Sequence, residues 1–202
     1  MFSIVGTQFF SVGNTSVIDI QDLFKEGLIE GDSIQFFDGS GYKVYSYFMS
    51  TFDETWEVDL GPGWQYDETG TRAIRNVVPG EAFWINSQST SVTLAGQAEK
   101  NAKITVPCNS VFTLVSLPVP TEVNIQKIKF EGIQEGDSIQ FMKNGKYEVY
   151  SYFMSTFDET WEVDLGPGWQ YDETGTRADI TVNMAEGFWL MSSAAEVTIS
   201  LE

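Results

Sequence analysis

The segment SYFMSTFDETWEVDLGPGWQYDETGTRA stands at residues 46–73 and again, letter for letter, at residues 151–178. Sliding the chain along itself by 105 residues aligns the rest without a gap. EGDSIQF at 30–36 meets EGDSIQF at 135–141, and the identical block reaches back to Val44 and Val149. GEAFWINSQSTSVTLAG (80–96) meets AEGFWLMSSAAEVTISL (185–201), and FFSVGNTSVIDIQDLFKEG (9–27) meets LVSLPVPTEVNIQKIKFEG (114–132). A period this long is no solenoid unit of about 20–50 residues. It is long enough to hold its own core. The expectation is two homologous domains, 1–98 and 105–202, with a linker at 99–104 inside the polar joint GQAEKNAK (96–103). Gly96 falls opposite Leu201, where a turn glycine is expected, and the expectation is that the final LE is a cloning remnant.

Each repeat reads as strands. SIQFF and SIQFM lead into the turn sequences DGSG (38–41) and KNGK (143–146), and Asn-Gly favours a tight hairpin. YKVYSYFM and YEVYSYFM suit a pleated surface, and TWEVDL alternates with period 2. GPGWQYDETGT reads as a loop from its Gly, Pro and Asp content. IRNVV or ITVN, AFWIN or GFWLM, and SVTLA or EVTIS follow as strands, with one more strand at VFTLVSLPV (111–119). One short helix is expected per repeat around DIQDLFKEG and NIQKIKFEG, with N-caps Asp19 and Asn124 and stops at Gly27 and Gly132. The expected class is all-β, two tandem β-sandwich or barrel-like domains with one short helix each.

Eleven basic residues face 29 acidic ones, a net charge of -18. Such a chain repels nucleic-acid phosphates and anionic membranes, and attracts cations. With no histidine and a single cysteine, Cys108, there is no disulfide framework and no basis for a zinc site or a histidine-dependent triad. Cys108 reads as a small buried apolar residue. No stretch is long and apolar enough to span a membrane. MFSIVGTQFF lacks the charged start and cleavage site of a signal peptide, so the chain reads as cytoplasmic or as a mature form behind an added Met.

The identical block concentrates the candidate chemistry. Its first copy holds Asp53, Glu54, Trp56, Asp59, Trp64, Tyr66, Asp67 and Glu68. Its second holds Asp158, Glu159, Trp161, Asp164, Trp169, Tyr171, Asp172 and Glu173. Clustered carboxylates suit Ca²⁺, with Asp53, Asp59, Asp67 and Asp158, Asp164, Asp172 as the candidate ligands; the spacing matches no EF-hand loop, and a solvated acidic loop accounts for it better. Trp64 and Tyr66 would share one face of a strand, which suits either a sugar platform or a cover for the core. Trp84 and Trp189 read as core residues. Paired acids also raise glycoside hydrolysis, but a duplicated active site is less usual than a duplicated contact surface, and the expectation is no enzyme and no cofactor beyond Ca²⁺. Recent copying and a contact that must be made the same way twice both account for the block's identity.

FTLVSLPVP (112–120), EGDSIQF and GFWLMSS (187–193), separated by a Tyr-rich hairpin, resemble tandem β-rich modules of bacterial extracellular and surface proteins. The first repeat departs at FFSVGNTSV, which lacks the prolines, and at EAFWI, where Ala82 replaces Gly. The resemblance implies tandem architecture and an extracellular or cell-surface location, and it carries over no catalytic residue. The leading expectation is a structural protein that associates with copies of itself into a ring, filament or layer. The alternative is a glycan-binding or adhesive module using the Trp, Tyr and carboxylates of the repeated loop.

Overall fold

The computed structural model describes residues 6–11, 16–53, 55, 57–89, 92–94, 103–117, 121–158, 163–183 and 186–201. The chain is nearly all β, with no helix beyond two 3-10 turns among the described residues. Each repeat builds a five-stranded antiparallel sheet. In the first the order is Gly6–Ser11, Ala82–Ser87, Ser33–Phe37, Tyr42–Phe48, Gly63–Tyr66. In the second it is Phe112–Ser116, Gly187–Met191, Ser138–Lys143, Lys146–Phe153, Gly168–Tyr171. The second repeat adds a three-stranded sheet of Lys103–Pro107, Glu196–Leu201 and Ile128–Glu131. The first has Thr93–Leu94 paired with Phe24–Glu26. Lys103 and Ile104, read from sequence as linker, thus belong to a strand.

Two turns follow directly from sequence. Asn144 and Gly145 both take positive φ, as the tight hairpin between Ser138–Lys143 and Lys146–Phe153 requires. In EGDS, Gly31 and Gly136 have φ of 89° and 86°, a region that glycine enters without steric cost.

The expected helix is a correction. Asp19 and Asn124 do cap, each accepting from the backbone N–H two residues on, but they cap a three-residue 3-10 turn, Ile20–Asp22 or Ile125–Lys127. The chain then extends because Ile128 and Phe130 alternate inward with Lys129 and Glu131 outward. Gly27 and Gly132 end strands rather than helices. GPGWQYDETGT is likewise corrected: Gly63–Tyr66 and Gly168–Tyr171 are sheet strands.

The two repeats reach one packing by different residues. Phe130 stacks edge-on against Trp169 at 5.1 Å. The residue 105 positions earlier is Lys25, and the phenylalanine stands at Phe24 instead. A one-residue slip should turn the ring to the other face of its strand. An irregularity in the ladder between Thr93 and Leu94 absorbs the slip, and Phe24 meets Trp64 at 5.4 Å.

A second compensation concerns a half-buried acid. Glu81 is paired by Arg75, whose guanidinium lies over the Phe36 ring. Glu186, at the matching position, is paired by Lys143, whose ammonium lies over Phe141. Burial raises the Glu81 carboxyl above its ordinary pKa, while Arg75 and the Val78 N–H pull it down. An acid with a raised folded pKa contributes stability that is complete below its unfolded pKa and is lost as pH rises through the folded value. Arg75→Ala removes a lowering influence and widens that window. Denaturant titrations should show the variant destabilised by about 1–2 kcal/mol near pH 7, with the deficit shrinking toward about pH 4. A pH-independent deficit would contradict this account.

Candidate functional site

Within each repeat, the block is organised by a residue outside it. Gln21, on the 3-10 turn, donates from Nε2 to the carbonyls of Trp64 and Ala73 at 3.0 and 2.9 Å, and its Oε1 accepts from the Trp64 N–H at 2.9 Å. Gln126 does the same for Trp169 and Ala178. The side chain thus acts as one more rung along the outer edge of Gly63–Tyr66. A Cβ on Gly63 would lie 2.6 Å from Arg72 Nη1 and 2.7 Å from Gln21 Oε1, so a larger residue there must displace both of these bonded side-chain ends. Arg72 and Arg177 bond the hydroxyls of buried Thr51 and Thr156.

This geometry corrects the sugar-platform reading of the block. Trp64 and Trp169 are 1% and 2% exposed, so neither offers a face to a ligand. Tyr66 and Tyr171 do share the tryptophan's face of the strand, but they pack on Tyr45 and Tyr150 at 5.1 and 5.2 Å. Asp59 and Asp164 cap the N–H of Gly61 and Gly166, and hydrogen bonds, first from Gly61, lower the Asp59 pKa. Asp67, Glu68, Asp172 and Glu173 lie on exposed turns. Glu54, Trp56, Glu159 and Trp161 lie outside the described residues, as do the side chains of Asp53 and Asp158. Among the described residues no three acids, cysteines or histidines gather as a metal site.

What the block does expose is a set of apolar side chains in and beside two short strand pairs. Phe52–Asp53 pairs with Val58–Asp59, and Phe157–Asp158 with Val163–Asp164. Met49, Val58 and Leu60 are 54%, 49% and 43% exposed; Met154, Val163 and Leu165 are 56%, 48% and 41% exposed. The same three apolar side chains are therefore presented to solvent twice, among carboxylates.

A second feature arises where the repeats meet. On a strand, neighbouring residues point to opposite faces. In Phe36-Phe37 and Phe83-Trp84 the first ring is in the core of its repeat, so the second faces away from it. Trp189, beside fully buried Phe188, does likewise. These outward residues form a cluster of their own: Ala82, Leu114 and Trp189 are buried, with Phe37 and Trp84 packed around them. Trp84 and Trp189 are thus not in the cores of their repeats but in the joint between them. The backbones meet too, in a bridge between Glu81 and Val115 and a bond from the Ser116 N–H to the Gly80 carbonyl at 2.9 Å. A Cβ on Gly80 would come within 2.9 Å of Ile104.

Tyr42 and Tyr147, 105 residues apart, flank this joint, 44% and 45% exposed. Sequence reasoning missed them. The signal was the aromatic doublets FF and FW, which no one-sided sheet can bury on the same face. Nearby, Asp38 holds its turn by accepting from Ser40 Oγ at 2.8 Å and from the N–H groups of Ser40 and Gly41. These bonds, first the Ser40 hydroxyl, lower its pKa to about 2. The turn is therefore favoured above the ordinary carboxylate range and loosens as pH falls through about 2. An NMR titration of the Asp38 carboxyl should return that value, and an ordinary one would mean the turn is open in solution.

Comparison of the chain with protein-family models, with curated proteins and with solved structures finds no match.

Proposed function

We propose that the protein is a non-enzymatic structural protein of the cell exterior, built from two homologous β domains, which associates with copies of itself through the repeated hairpins. The observation that carries this reading is the matched exposure of Met49, Val58 and Leu60 with Met154, Val163 and Leu165. A lone exposed apolar side chain has no special meaning; three of them shown twice in the same setting, beside the exposed carboxylates of Asp59 and Asp164, supply two matching contact surfaces. Two such surfaces on one chain permit head-to-tail contacts, which close into rings or run on as filaments. The net charge of -18 opposes association at low salt. At about 0.5 M salt the Debye length shrinks to ~4 Å and the apolar contact prevails.

The test is light scattering after size exclusion, with electron microscopy of the same sample, across salt and Ca²⁺. High-mass species should grow with salt or Ca²⁺. They should vanish in the double variant Val58→Lys, Val163→Lys, whose substituted side chains are exposed and leave the fold intact. A monomer under every condition would overturn the proposal, as would assemblies indifferent to the variant.

A further inference from the structure

The joint between the repeats opens into a shallow groove of about 270 Å³ lined by Phe37, Tyr42, Phe112, Gln140, Tyr147 and Trp189. Phe37 and Phe112 also line a neighbouring cleft of about 340 Å³, so the two depressions run into each other. Asp38, Asn109 and Thr113 supply polar groups along that cleft. The rings are set at angles that hold one another in place. Phe37 stands edge-on to Tyr42 at 5.3 Å and to Trp189 at 5.1 Å, and Phe112 edge-on to Trp189 at 6.3 Å. Trp189 Nε1 donates to the Tyr147 hydroxyl at 3.3 Å, and Trp84 bonds the Tyr42 hydroxyl in the matching way. Burial keeps the Tyr42 hydroxyl above its ordinary pKa despite the Trp84 bond, so at neutral pH it is a donor as well as an acceptor.

We propose that this groove binds a neutral polysaccharide chain. The lining selects that chemistry. Its floor is aromatic, and its polar groups are uncharged: two phenols and the Gln140 amide. Among the described residues no lysine or arginine lines either depression, and Lys43 and Arg75, which lie beside the lining carboxylates of Asp38 and Glu81, are paired with them, so a phosphate, sulfate or uronate is disfavoured, and the charge of the whole chain repels it. A purely apolar ligand would strip water from the phenols and the amide without replacing their hydrogen bonds. A pyranose ring offers an apolar C–H face to the aromatics and hydroxyls to the phenols, the amide and the Asp38 carboxylate. The groove is shallow and open, which suits a chain laid along it. It shares no residue with the hairpins, so this binding is independent of self-association.

The full chain would be run by affinity electrophoresis through gels containing hydroxyethylcellulose, glucomannan or dextran. Polygalacturonate gels and competition by a polyproline peptide represent the anionic and peptide occupants. Retardation is expected in at least one neutral gel. The double variant Tyr42→Ala, Tyr147→Ala should weaken it about tenfold or more; because it also removes the hydroxyls that Trp84 and Trp189 bond, its melting is compared with that of the Phe pair, which removes the same hydroxyls. Tyr42→Phe with Tyr147→Phe keeps the rings and should retain most of the binding. Unaltered migration in every neutral gel would overturn the proposal. So would retardation that survives loss of both tyrosine rings, or retention only by polygalacturonate or displacement only by polyproline.

Discussion

Trp169→Ala is expected to destabilise the protein by about 3–5 kcal/mol, and Trp64→Ala by a similar amount, read from urea titrations. Each indole is almost fully buried. Trp169 touches Phe130 at 5.1 Å and Tyr152 at 5.3 Å, and Trp64 touches Phe24 at 5.4 Å and Tyr47 at 5.3 Å. Truncation removes these ring contacts and leaves a cavity that the surrounding strands prevent from collapsing. The backbone N–H and carbonyl that Gln126 bonds are kept by alanine, so the loss is that of the indole itself. Trp→Phe at either position refills most of the volume and should recover more than half of the loss. A solvent-facing platform behaves differently: its truncation changes stability by no more than about 0.5 kcal/mol. Changes that small for both tryptophans would restore the platform reading and would mean that neither indole is packed inside its repeat.

The Asn-Gly hairpin, the Asp19 and Asn124 caps and most of the strands were legible in the sequence because each rests on local signals within a few residues. What depends on distant partners was not. Trp64 sits in a Gly- and Pro-rich stretch that looks like loop; it becomes a strand because Tyr42–Phe48 pairs with it on one side and Gln21 bonds it on the other. The slip from Phe130 to Phe24 is visible in the aligned repeats, yet its cure lies in a ladder irregularity some seventy residues away in the chain. The exchange of Arg75 for Lys143 is similar, because both cations reach one kind of site from different elements. The block itself was legible as a repeat. Its exposed face was not the aromatic one that composition suggested, since burial is decided by which side of the sheet each ring takes. The joint between repeats was hidden for the same reason, although the doublets FF and FW carry it.

Asp137→Ala is expected to cost about 3 kcal/mol or more, the largest effect of any polar substitution in the second repeat. Asp137 is 5% exposed. Its Oδ2 accepts from the Gln134 N–H at 2.8 Å and from Ser192 Oγ at 2.5 Å. Its Oδ1 accepts from the Ser193 N–H at 2.9 Å and the Ser193 hydroxyl at 3.1 Å. One carboxylate thus ties the EGDS turn to the end of the FWLM strand, and Asp32 makes the matching tie to Ser87 and Gln88. Removing it leaves several donors facing one another in a space that water enters with difficulty, whereas Ser192→Ala removes one donor to the aspartate and the acceptor of the Ala194 N–H and should cost about 1 kcal/mol. Asp137→Asn is nearly isosteric but turns an amide N–H₂ toward those donors, so it should recover little. Because the serine's hydroxyl proton is donated to the aspartate, the two losses should be less than additive: Asp137→Ala with Ser192→Ala should exceed Asp137→Ala alone by only the weak bond from the Ala194 N–H to Ser192 Oγ, about 0.5 kcal/mol. Full additivity in that double-mutant cycle would mean that the two side chains stabilise the repeat separately, and that the clamp between turn and strand end is not what holds the sheet in register.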